Sequence, residues 1–177
     1  MIRAVLSIGA NLGQARQRLA EVFEYFGSET VAASRIFTTA PWGGVEQGDF
    51  LNAILIVETS RTPMQLLEAG WELENAAGRT REVKWGPRTL DVDIVQVIDL
   101  DSGREVIADD ETLTLPHPWA AQRAFVLVPW LDADPDATLK GVRVRDLVGK
   151  LDPGEVAEVR AEGTASIGST GSSGSAG

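Results

Sequence analysis

Between Arg3 and Ile8 the chain carries a short apolar run that ends on Gly9 and reads as a first strand. The segment Gly9-Ala10-Asn11-Leu12-Gly13 then reads as a turn, with Asn11 as a candidate helix cap. Beyond it Leu19, Val22, Phe23 and Phe26 recur at helical spacing up to Gly27, which predicts an amphipathic helix packed on a sheet. Val31–Phe37 and Phe50–Thr59 read as the second and third strands. Thr62-Pro63 is a cap followed by proline at the first helical position, and the helix it opens runs to Ala77 and stops at Gly78. Along that helix Leu67, Trp71 and Glu74 share one face, which puts a carboxylate at the end of an apolar stripe. Leu90, Val92 and Ile94 then alternate with Asp91 and Asp93, so a fourth strand turns its apolar residues to the core and both carboxylates to the other face. A turn at Asp99–Gly103 and a return strand over Glu105–Ile107 predict a hairpin at the sheet edge.

In chain order these elements spell β-α-β-β-α-β, the ferredoxin-like pattern. They predict an α+β fold with an antiparallel sheet flanked by helices and with further strands and helices appended. At 177 residues, one domain over residues 1–161 is the expectation. Residues 162–177 are almost wholly Gly, Ser, Thr and Ala, a composition that buries too little to fold, and are expected to be a disordered tail.

Composition narrows the partners. Sixteen basic against 26 acidic residues give a formal net charge of -10, which argues against a general nucleic-acid or anionic-membrane surface, so any anion site must be local. There is no cysteine and one histidine, which excludes disulfides, thiolate metal sites and a cysteine nucleophile. The apolar run at the N-terminus is too short for a signal peptide or a membrane span. A cytoplasmic monomer is expected.

One such local site lies between Gly78 and Leu90, where Arg79, Arg81, Lys84 and Arg88 stand against the single acid Glu82. Arginine offers forked donors to phosphate, and paired carboxylates offer hard oxygen ligands to Mg²⁺, which takes its other ligands from water and substrate phosphates. A basic island beside Asp91 and Asp93 therefore suits a metal-bound polyphosphate. By themselves the arginines would read as a solvated loop, and an isolated Asp-x-Asp as two surface acids; aspartate's poor strand propensity, met twice in one strand, is what asks for compensation. His117, flanked by Pro116 and Pro118 and followed by Arg123, forms a second candidate donor pair for phosphate oxygens. Trp42, Phe50, Trp85 and Phe125, with the amide of Asn52 to read a ring edge, form a candidate slot for a flat heterocycle, although each aromatic alone reads as core. The loop over residues 39–49 is too rich in Gly and Pro for regular structure and too apolar for an idle linker. Gly9–Gly13 is only half a dinucleotide fingerprint, and no phosphate loop of the GxxxxGK[ST] type occurs.

Gly86-Pro87-Arg88-Thr89-Leu90-Asp91-Val92-Asp93 resembles the signature of the 6-hydroxymethyl-7,8-dihydropterin pyrophosphokinases, folate-pathway enzymes that move a diphosphate from ATP onto a pterin alcohol. Ser7–Gly13, Asp49–Ala53, Gly78-Arg79 and Leu113–His117 through Phe125 resemble family segments in the same order, over roughly residues 1–150. The resemblance implies that Asp91 and Asp93 bind two Mg²⁺ bridging the ATP phosphates. It also implies that Arg79 and Arg81 ride a catalytic loop, and that Arg81, Lys84, Trp85, Arg88, His117 and Arg123 hold the nucleotide, with Glu74, Thr114 and the backbone of Ile94. Thr39, Pro41, Trp42, Phe50, Asn52, Trp85 and Phe125 fall at the pterin pocket. The chain departs from the best-known form at Ala40 (proline), Phe50 (tyrosine), Trp71 (glutamine) and Pro118 (tyrosine), and is one residue shorter between Arg81 and Trp85. Two other readings compete: a glycosyltransferase holding a metal-bound diphosphate, which needs a larger domain, and a metal-independent ferredoxin-like ligand sensor.

Overall fold

The computed structural model describes residues 1–11, 14–39, 50–78 and 90–162. Its main sheet is antiparallel, and the long central strand β1 (Ile2–Ala10) pairs on one side with β4 (Phe50–Thr59) and on the other with β5 (Asp91–Asp99). Along the far side of β4 lie β2 (Thr30–Ala33) and β3 (Phe37–Thr39), and β3 is flanked in turn by β10 (Arg160–Ala161). The spatial order β5-β1-β4-β2/β3 is the fourth, first, third and second strand of the ferredoxin-like unit, as the pattern of elements predicts.

Helices cover both faces. Even-numbered residues of β1 (Ala4, Leu6, Ile8) join Leu55 and Val57 of β4 and Val92 and Ile94 of β5 in a core beneath α1 (Ala15–Tyr25) and α2 (Pro63–Ala76). The opposite face contributes Val5, Ile54, Ile56 and Val95 to a second core with α3 (Ala124–Ala133), whose Trp130 is fully buried, and with Val144 of α4 (Val144–Gly149). Short pairs β6 (Ala108–Asp109) with β7 (Thr114–Leu115) and β8 (Thr138–Leu139) with β9 (Val142–Arg143), then α5 (Pro153–Glu158), complete the chain to β10.

Local chemistry explains several boundaries and corrects others. The Thr62 hydroxyl accepts the Gln65 N–H while the Gln65 side chain accepts the Thr62 N–H, a full capping box that starts α2. The single strand expected over Val31–Phe37 is broken at residues 34–36. There the Ser34 N–H donates to the Ile54 carbonyl and its Oγ accepts the Ile54 N–H at 2.8 Å, so a side chain replaces one rung of the ladder. The return strand expected over Glu105–Ile107 is reduced to one bridge from Glu105 to Ile98, with the Val106 N–H on the Val97 carbonyl; at Val95 the edge carbonyl is taken instead by the His117 N–H. Asn11 does not cap α1, whose N-cap is Gln14 with no side-chain cap bond. On α2 the buried face is Leu66, Ala69, Gly70 and Glu74, while Trp71 is 41% exposed, so the expected Leu67–Trp71–Glu74 stripe is rotated by about a third of a turn.

Candidate active site

Strand register brings distant residues into two rows on the α3 face of the sheet. One row runs Phe37, Asn52, Gly9, Asp91 and the next Ile54, Ser7, Asp93, because Asn52 and Ile54 pair with Gly9 and Ser7, which pair in turn with Asp91 and Asp93. Asp91 and Asp93 alternate with the buried Val92 and Ile94, so the core holds the strand while both half-buried carboxylates face the same side as Asn52.

Gly9 forms the floor between them. A Cβ there would lie 3.0 Å from Asn52 Oδ1, a tight contact that the amide would have to yield to by a few tenths of an ångström, so glycine leaves the amide undisturbed. The buried Asn52 donates from Nδ2 to Thr39 Oγ1 at 2.9 Å, which fixes its amide with Oδ1 turned toward Gly9. Ser7 opposite Asp93 is likewise small, so the floor in front of both carboxylates is low.

Beyond the pair, β5 is the edge of the sheet, and two segments attach to its outer backbone. Glu74 of α2, buried, accepts the Val92 N–H at 3.0 Å, and His117 donates its backbone N–H to the Val95 carbonyl at 2.8 Å. Ile94 lies between these two attachments. Thr114 sits close by on β7, opposite Asp109.

The segment after the cis Leu115–Pro116 peptide carries two candidate phosphate donors, His117 and Arg123. His117 Nδ1 accepts the Trp119 N–H at 3.2 Å, which places the ring proton on Nε2 and leaves that nitrogen as a donor. Partial burial, and then the charge of Arg123, push its pKa below the ordinary 6.5, so the ring is neutral at pH 7. A 3-10 turn at Ala120–Gln122 carries the chain to Arg123, at the N-terminus of α3, and its guanidinium stands 5.5 Å above the Phe125 ring. Phe125 itself is partly buried against the second core.

The described residues thus bring Asp91, Asp93, Asn52, Thr39 and Phe50 onto adjoining strands at one end of the sheet, with Glu74, Ile94 and His117 at its β5 edge. Pro41, Trp42, Arg79, Arg81, Lys84, Trp85 and Arg88, and the tail from residue 163, lie outside the described residues. Two features escaped the sequence. The floor role of Gly9 follows from register, which no local pattern encodes. Asn11, just past β1, is buried with an Oδ1 that has no hydrogen-bond partner among the described residues, although its motif reads as a surface cap. Among the described residues no three His, Asp or Glu side chains are grouped so that they could hold a metal ion by themselves. A cation at the Asp91–Asp93 pair would therefore complete its shell elsewhere, as Mg²⁺ does with water and phosphate.

Residues 5–135 match the family model for 7,8-dihydro-6-hydroxymethylpterin-pyrophosphokinase (HPPK). The chain belongs to the HPPK family. It is 46% identical over 168 residues to the 2-amino-4-hydroxy-6-hydroxymethyldihydropteridine pyrophosphokinase of Mycobacterium tuberculosis, covering 90% of this chain and 89% of that protein. The protein of the same name from Methylorubrum extorquens is 40% identical over 163 residues, covering 90% and 99%. Among solved structures, Plasmodium falciparum HPPK-DHPS, wild type with pteroate, superposes with a TM-score of 0.58 at 14% identity over 84% of this chain. The wild type with SDX-DHP gives a TM-score of 0.59. This chain spans under half of those solved chains, 42% and 43% of their length, and the likeness there is one of fold. Membership in the HPPK family displaces the glycosyltransferase and ligand-sensor alternatives.

Proposed function

We infer that this protein transfers diphosphate from ATP to the hydroxymethyl group of 6-hydroxymethyl-7,8-dihydropterin, releasing AMP, in folate biosynthesis. The observation that carries the reading is the pair Asp91 and Asp93 on the open face of an edge strand, in a chain 46% identical to a relative of that name.

The carboxylate pair fits Mg²⁺: two hard oxygen donors, half-buried, stand over a floor kept low by Gly9 and Ser7. Bound there, two Mg²⁺ would neutralise phosphate charge and polarise the reacting oxygens. The chain's own residues do the rest. His117 through Nε2–H and Arg123 through its guanidinium donate to phosphate oxygens, and Arg81, Lys84 and Arg88 add cationic donors from the signature segment. Glu74 and His117, both fixed to β5, hold the nucleotide side, with Thr114 nearby and the Ile94 backbone toward the base. Asn52 Oδ1 accepts from a ring N–H of the pterin, whose flat face lies against Phe125 and Phe50, with Pro41, Trp42 and Trp85 closing the pocket.

In the reaction the pterin hydroxyl oxygen attacks the β-phosphorus of ATP. A new O–P bond forms, the bond from that phosphorus to the bridging oxygen breaks, and its electron pair leaves on AMP while the hydroxyl proton passes to solvent. Little covalent work falls to the protein, so alignment and charge neutralisation supply the acceleration. With a net charge of -10, and no helix among the described residues long and apolar enough to cross a membrane, the reading has the enzyme acting as a cytoplasmic monomer without nucleic acid or membrane. Incubation with ATP, pterin alcohol and Mg²⁺ should release AMP in equal amount to pterin diphosphate, and omission of either pterin or Mg²⁺ should stop it. ADP in place of AMP would overturn the diphosphate assignment.

A further inference from the structure

The HPPK match ends at residue 135, yet the chain continues through α4 and α5 and returns to the main sheet as β10. There Arg160 and Ala161 pair with Thr38 and Phe37, the Thr38 hydroxyl donates to the Arg160 carbonyl, and the Glu162 N–H donates to the Ile36 carbonyl at 2.8 Å. The Glu162 carboxylate accepts both terminal nitrogens of Arg16, in the first turn of α1, at 2.5 and 2.7 Å. One residue of the apparent tail therefore ties the start of α1 to β3.

The consequence falls on the pterin side of the site. β3 is three residues long, and without β10 it would be paired with β4 alone, a short edge that frays readily. Its last residue, Thr39, is the acceptor that holds the Asn52 amide with Oδ1 toward Gly9. If Thr39 drifts, the amide is free to turn over and present its NH₂ group, a donor, where the pterin ring N–H needs an acceptor.

We propose that the C-terminal clasp, β10 with Glu162, is a positioning element for pterin recognition: it pins β3, and β3 through Thr39 sets the orientation of the Asn52 amide. The inference rests on the reading of Thr39 and Asn52 as the pterin side of the site. It predicts that loss of the clasp raises the pterin KM while nucleotide affinity is kept, because Glu74, His117 and Asp91 hang on β5 at the other side of β1 and β4.

The test uses full-length protein. Glu162→Pro removes both the N–H to Ile36 and the carboxylate to Arg16; Arg16→Ala removes the ion pair alone; Thr39→Val removes the acceptor for Asn52 and leaves the clasp intact. Steady-state kinetics should show the pterin KM raised about fivefold in Glu162→Pro and in Thr39→Val and less in Arg16→Ala; in the clasp variants Glu162→Pro and Arg16→Ala, kcat at saturation and the calorimetric Kd for Mg²⁺-ATP should stay within about twofold of wild type. In the double variant Glu162→Pro/Thr39→Val the two increases should not multiply, since both act through one hydrogen bond. An unchanged pterin KM in Glu162→Pro, a parallel loss of ATP affinity, or multiplicative effects in the double variant would overturn the proposal. Should Glu162→Pro fail to fold, Arg16→Ala and Thr39→Val carry the same comparison. Asn52→Ala separates the two levels: if it leaves the pterin KM unchanged, the site reading itself fails, whereas if it raises that KM and the clasp variants do not, only the clasp fails.

Discussion

His117 combines two properties in one side chain: Nδ1 is committed to the Trp119 N–H, and the ring is held neutral by partial burial and by Arg123. Protonation would cost the Trp119 bond, since Nδ1 would become a donor facing a donor. Because the folded state binds this proton less tightly than the unfolded chain, the unfolded state takes it up first as pH falls through about 6.5. The contribution to stability is therefore complete above that range and declines below it, until the folded imidazole titrates as well. Phosphates at Nε2 reverse the balance, as negative charge favours the imidazolium. With one histidine in the chain, its NMR titration is unambiguous. The free protein should show a midpoint below 6.5, and saturating Mg²⁺-ATP should raise it. A midpoint indifferent to nucleotide would remove His117 from the phosphate site.

Glu74 is the join between α2 and β5. Its Oε1 accepts the Val92 N–H, so one helix satisfies a backbone donor that the sheet edge leaves over, midway between the two aspartates. Glu74→Ala should cost about 1–3 kcal/mol, because a buried N–H loses its acceptor, whereas Glu74→Gln keeps an amide oxygen there and should cost less than about 1 kcal/mol. Urea unfolding of the two variants checks this, and equal losses would mean that charge rather than the hydrogen bond makes the join. That Glu74 needs a partner is legible in the sequence, as is the strand bearing Asp91 and Asp93, because alternation and helical spacing are local signals. The identity of the partner is not, since Val92 is 18 residues away and reached only through packing. The same limit hides the break at residues 34–36, where Ser34 takes the place of a rung, and the two-residue strands β6 to β10, which exist only through their pairings. Composition misplaces Glu162 in the tail for a further reason: its partners Arg16 and Ile36 are more than a hundred residues upstream.

At the scale of the molecule, cohesion and chemistry occupy different places on one sheet. Two cores press on its faces through the middle of β1, β4 and β5, while Asp91, Asp93, Asn52 and Thr39 gather at one end, where the strands enter or leave their loops. Stability and turnover should therefore separate. Trp130, on the buried face of α3 and packed in one cluster with Ile54, Ile56 and Val95, anchors the second core, and Trp130→Ala should cost about 3–5 kcal/mol through lost burial and the cavity left behind. Asp93→Ala removes a half-buried carboxylate from the end of the sheet and should leave the fold intact, at a cost well below that of Trp130→Ala because no large apolar side chain leaves the core. Turnover should behave in the opposite sense. Trp130→Ala, assayed well below its lowered melting temperature, should retain most of its kcat because the carboxylate row is set by strand register and not by α3 volume. Asp93→Ala should lose AMP release by a factor of about a hundred or more, the scale seen when one electrostatic stabiliser is removed from a reacting centre. If Asp93→Ala unfolds the protein instead, the carboxylate is a structural member of β5, and the metal reading of the pair fails with it.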